Sequence, residues 1–100
     1  MSLSERVEAG ENSEELVIAI SDACGMKTPH GNPLTDLTTA EMLIPEGDGI
    51  TWTLSAGPWV SGYCRVFNIN YDGDVEWDFC ASAPTPALAL CGAALRARGL

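Results

Sequence analysis

ITWTLSAGPWVSGYCRVFNINYDGDVEWDFC, residues 50–80, contains three runs of β-branched and aromatic residues separated by two short turns. In the first run Ile50, Trp52 and Leu54 alternate with Thr51, Thr53 and Ser55, the period of a strand with one buried face. Ala56, Gly57 and Pro58 turn the chain. From Trp59 to Asn70 the odd positions Tyr63, Phe67 and Ile69 are expected to face inward, interrupted by Arg65. Val75, Trp77 and Phe79 supply the last strand. The pattern predicts a three-stranded antiparallel meander over residues 50–80.

The register of the last two strands follows from their turn. A three-residue loop, Tyr71, Asp72 and Gly73, puts glycine at the left-handed position that such loops require. It pairs Ile69 with Val75 and Phe67 with Trp77, whereas a two-residue loop sets Ile69 against Glu76, and the apolar match selects the first. Asp74, Glu76 and Asp78 then form an acidic stripe opposite Asn70, Asn68 and Val66. Cys64 stands opposite Cys80.

Outside the meander the chain reads as helices. Ser2 with Glu5 and Asn12 with Glu15 have capping-box spacing, predicting helices near 3–9 and 13–24. Leu16, Ile20, Ala23 and Cys24 share a face of the second, and Gly25 ends it. The run Val17 to Ile20 is wider than one face needs, so this helix is covered on more than one side or a strand competes. Residues 25–37 form a loop that holds the sole histidine, His30. Thr38 with Glu41 repeats the capping signature, and Pro45 closes a short helix. PTPALALCGAALRARGL, residues 84–100, predicts a helix over 85–98 with Thr85 as cap and Pro86 at its first position. Leu88, Cys91, Ala94 and Leu95 make its buried stripe, and Ala89, Gly92 and Ala93 allow close approach to a sheet. The expected fold is α+β in one domain, residues 1–100: an acidic helical segment over 1–24, the meander, and the C-terminal helix.

Fourteen acidic residues against five basic ones give a net charge of −9, and residues 1–50, with ten acids and two bases, carry −8 of it. Such a field repels nucleic acid and anionic membrane and favours a cationic partner. The first twenty residues lack a basic start and apolar run, and no apolar stretch reaches the roughly 18 residues that span a bilayer; the expected location is cytoplasmic. Cys24, Cys64, Cys80 and Cys91 contain no CxxC pair, so buried free thiols are expected.

Asn68, Asn70, Asp72 and Gly73 match four positions of a calcium loop, but its twelfth position falls on Phe79 and the flanks are strands, so a plain hairpin is expected. His30 lies in a loop, no serine has a nucleophile context, and no phosphate-binding glycine motif is present; the expectation is neither an enzyme nor a cofactor or metal binder. Carboxylates can instead imitate nucleic-acid phosphates. Same-face strand residues lie about 6.6 Å apart against one charge per about 1.7 Å of duplex, so the stripe Asp74, Glu76 and Asp78 needs Glu5, Glu8, Glu11, Glu14 and Glu15 beside it. Trp59, following Gly57 and Pro58 in a turn, is the candidate aromatic anchor.

The stretch from Leu34 to Leu100, with LTTAEMLIPEG, a Trp-containing strand pair and TPALALCGAALRAR, resembles the phage ABA sandwich proteins of bacteriophages and prophages. The resemblance covers about two-thirds of the chain and leaves out the acidic N-terminal third. It implies an antiparallel sheet packed by helices and a phage or prophage origin, and it transfers no catalytic residue. The expected function is therefore a phage-encoded binding protein in the host cytoplasm. The favoured class is an inhibitor of a host defence system, anti-CRISPR-like, with an acidic surface that blocks the basic nucleic-acid groove of an effector complex. The alternative is a virion assembly component acting by self-association.

Overall fold

The computed structural model describes residues 2–25, 32–45, 47–57 and 60–100. Helices α1 (Leu3–Glu8), α2 (Glu14–Ala23) and α3 (Leu37–Glu41) precede strands β1 (Ile50–Gly57), β2 (Val60–Ile69) and β3 (Val75–Ser82), and α4 (Pro86–Ala97) follows. The strands form one antiparallel sheet in the order β1-β2-β3. This is the α+β meander expected from the alternation.

Local chemistry starts the helices. Ser2 and Glu5 complete the reciprocal capping box of α1, and Thr85 accepts the Leu88 N–H at 3.2 Å with Pro86 opening α4. Two caps differ from expectation. Ser13, not Asn12, caps α2 by accepting the Leu16 N–H, and Asp36, not Thr38, caps α3. In both places the neighbouring residue is also of a type that caps helices, so capping spacing alone does not choose between them.

α4 is the centre of the packing. It crosses β2 and β3 on one side and meets α1 and α3 as well, while touching β1 far less. The expected stripe is therefore too narrow: every residue from Ala87 to Leu95 is buried. A Cβ at Gly92 would lie 3.2 Å from the Ala81 Cβ of β3 and 3.3 Å from the Glu8 Cγ of α1, so its bare Cα sets how closely the three elements meet. Val7 of α1 and Leu16 and Ile20 of α2 reach the same core. α2 is covered on one side only, since Ile18 is 54% exposed.

The parity of β2 is the main correction. Cys64 and Val66 face α4 with no exposed surface, while Tyr63 and Ile69 lie on the opposite, open face. Phe67 shares that open face and is covered by the Arg65 guanidinium 4.4 Å above its ring. The residues with no or almost no exposed surface on this face are Cys64, Val66 and Ala81, which pack against the small residues of α4, while the aromatics of the same face, Trp52, Trp77 and Phe79, keep part of their surface exposed. β1 has the expected parity, with Ile50, Trp52 and Leu54 packed against the core.

The turn fixes the first pair of the β2–β3 register as expected, Ile69 with Val75. An irregularity then follows, and beyond it Asn68 pairs with Trp77, Phe67 with Asp78, Val66 with Phe79, Arg65 with Cys80 and Cys64 with Ala81. Glu76 is the extra residue, a bulge that re-phases the strand so that Trp77, Phe79 and Ala81 fall on the helix side. Cys64 and Cys80 consequently lie on opposite faces and are not poised to bridge; all four cysteines are free. Cys64 and Cys91 are buried, and burial pushes both thiols up to about 12. Cys24 and Cys80 are half-buried.

Candidate protein-binding surface

Several of the acidic residues singled out in the sequence are engaged within the fold. Glu5 accepts from Ser2 within the α1 capping box, which lowers its pKa. Glu8 accepts from Arg96 of α4. Glu11 takes Arg6 in a two-point contact at 3.0 and 2.6 Å and accepts from Ser13 at 2.8 Å; these bonds hold its carboxyl below the usual range. Glu14 and Glu15 stand exposed in the first turn of α2, where the helix dipole favours them. Three of the chain's five basic residues are thus committed to acids, the third pair being Arg65 with Asp78.

The expected stripe on β3 is broken. Asp78 pairs with Phe67 rather than Val66, so it lies on the open face, where Arg65 reaches it at 2.7 and 3.0 Å and lowers its pKa. Glu76 occupies the bulge. Asp74 sits at the end of the turn, its N–H held by the Asn70 side-chain oxygen at 2.9 Å. Trp59, His30 and the segment Met26 to Thr28 lie outside the described residues.

A different grouping emerges at the β2–β3 end of the sheet. Asn70 organises the turn: its side-chain oxygen accepts the N–H groups of Asp72 and Asp74, and its carbonyl accepts that of Gly73, whose φ is +86°. With that oxygen given to backbone, Asn70 offers no free ligand for a cation. Gly49 leads into β1 at φ +79°, and its carbonyl accepts the Ile69 N–H at 2.9 Å. Asn68 donates to the Asp48 carbonyl at 3.2 Å. These bonds bring Asp48 beside the turn, and a cleft of about 330 Å³ opens between Asp48, Asn68, Tyr71 and Glu76.

Asp48 and Glu76 line this cleft and Asp72 and Asp74 belong to the adjoining turn, none of the four bridged to a basic side chain among the described residues. Tyr71 at the turn is fully exposed. An uncovered phenol ring in one cleft with two carboxylates suits a lysine or arginine from another protein, which the charges attract and the ring face receives. Sequence reasoning passed over Tyr71 and Asp48. The signal for Tyr71 was present, since the loop reading had already placed it in the turn; Asp48 reaches the site only through the β1–β2 pairing.

Among the described residues no cluster of three or more His, Cys, Asp or Glu is arranged to hold a metal ion, and no helix is long and apolar enough to cross a membrane. No family model, curated protein or solved structure matches the chain. The likeness to phage ABA sandwich proteins therefore rests on the pattern of residues alone.

Proposed function

We propose that the chain acts by binding a protein with a basic surface, not by catalysis, and that the β2–β3 turn is the contact. One observation carries this reading: Asp48 and Glu76 line one cleft with the fully exposed Tyr71, Asp72 and Asp74 follow in the same turn, and none of the four has a basic partner among the described residues. A steered encounter gains association rate from such a field, and an aromatic at its centre supplies the contact that holds the complex. The biological class that suits an acidic binder of this size is inhibition of a host defence complex in the host cytoplasm, with the turn occupying a basic groove made for nucleic acid. The pattern likeness to small phage proteins supports a phage or prophage origin.

The test is retention of partners from a bacterial host lysate at low and high salt by the wild-type chain, by Tyr71→Ala and by the triple variant Asp72→Asn, Asp74→Asn, Glu76→Gln. A nucleic-acid-binding protein held at low salt, released at high salt and lost by both variants supports the reading. Retention unaffected by the variants removes it.

A further inference from the structure

We propose that the free edge of β1 pairs with the β1 edge of a second copy of this chain, joining two sheets into one of six strands. The two edges of the sheet differ in chemistry. The β3 edge carries Glu76, Asp78 and a bulge, each a device that discourages strand addition. Residues 50–57 of β1 contain no charge and no proline. Among the described residues nothing pairs with the outer side of β1.

The direction of the unpaired backbone groups follows from the ladder. The Ile69 N–H donates to the Gly49 carbonyl, so in this register the odd residues of β1 form the hydrogen-bonded pairs with β2. Ile50, Trp52 and Leu54 consequently turn their N–H and C=O groups to the free edge. Their side chains lie on the helix side but are only partly buried, because α4 sits over β2 and β3. A groove of about 370 Å³ beside them is lined by Met42, Ile44, Ile50 and Trp52 with one acid, Glu41, and Met42 is 49% exposed.

A second copy fits this edge on two grounds. An antiparallel pair about a two-fold axis matches outward-bonding residues to outward-bonding residues, so Ile50, Trp52 and Leu54 meet their own kind and the apolar row continues across the junction on the helix side. Charge points the same way. Two chains of −9 repel at most approaches, and an uncharged strand is where that repulsion is least, whereas a basic partner gains nothing from it. The dimer uses the outward backbone of β1 and the binding function uses the β2–β3 turn; they adjoin at Asp48 and Gly49 and are tested by different residues.

Sedimentation over a concentration series, at low and high salt, combined with site-resolved amide exchange, tests the pairing. The expected result is a species of twice 10.6 kDa that strengthens with salt, since screening weakens repulsion between like-charged chains. The N–H groups of Ile50, Trp52 and Leu54 should gain protection as concentration rises. Leu54→Pro withdraws one outward N–H from each copy while sparing the bonds to β2, and should weaken dimerisation by about tenfold. A monomer at every concentration, or a dimer in which those three amides stay unprotected, overturns the proposal; the wild-type exchange pattern decides it even if the proline variant does not fold.

Discussion

The α1 segment and the β2–β3 turn are both rich in carboxylates, and the fold treats them in different ways. Glu5, Glu8 and Glu11 on and after α1 are engaged by Ser2, Arg96 and Arg6, so they help fasten α1 to its own cap, to α4 and to the chain leading into α2. Asp48, Asp72, Asp74 and Glu76 lie at one end of the sheet with none of the described basic side chains beside them. Net charge counted along the sequence puts the field in the first half of the chain; after folding, Glu8 and Glu11 of that half are ion-paired, and the acids of the second half's turn, with Asp48 beside them, stand open. A charge count measures what a chain holds, and pairing decides what a partner meets.

The sharpest way to break the contrast is to unseat the end of the sheet. At Gly49 a Cβ would collide with the Ile69 carbonyl oxygen, and the backbone is already in the left-handed region. Gly49→Ala should lower stability by about 2 kcal/mol or more and displace Asp48 from the cleft, read by denaturant unfolding and by the chemical shifts of Asn68 and Asn70. The next effect is on binding. Tyr71→Ala should weaken partner retention by about tenfold or more with an unchanged melting temperature, as expected for an exposed anchor residue.

Neutralising the other region sharpens the contrast from its opposite side. Glu8→Gln with Glu11→Gln should leave partner retention intact and lower the melting temperature slightly, because partly exposed ion pairs contribute little. Binding lost with that double variant, and preserved in the triple turn variant, would exchange the roles assigned to the two regions.

The smallest effect is a pH dependence. Arg6 and Arg65 hold Glu11 and Asp78 below their ordinary values of 4.5 and 3.8. A carboxylate whose pKa is depressed by folding stabilises fully above its unfolded value and loses that contribution as pH falls through the folded one. The melting-temperature advantage of wild type over Arg6→Ala with Arg65→Ala should therefore be whole at neutral pH and vanish on acidification below those ordinary values.

Much of the architecture was legible because it is local. Ser2 with Glu5, Thr85 with Pro86, the alternation of β1 and the Asn70–Gly73 turn are each satisfied by residues a few positions apart, so their spacing in the chain carries the information. The candidate site was half legible: the turn and its acids could be read, while the loss of Asp78 to Arg65 and the arrival of Asp48 depend on cross-strand neighbours.

By itself the sequence determined the order of helices and strands, the first pair of the hairpin and the sign of the overall charge. Only the tertiary structure decided which face of β2 is buried, where the bulge falls and which carboxylates remain open. The reason is that β2 is apolar on both faces, with Cys64 and Val66 on one and Tyr63, Phe67 and Ile69 on the other, so its own pattern has two solutions. Close packing of the small residues of α4 on Ala81 and its neighbours selects the face with small side chains. That choice turns Arg65 outward to Asp78 and leaves the acids of the turn without a basic neighbour among the described residues.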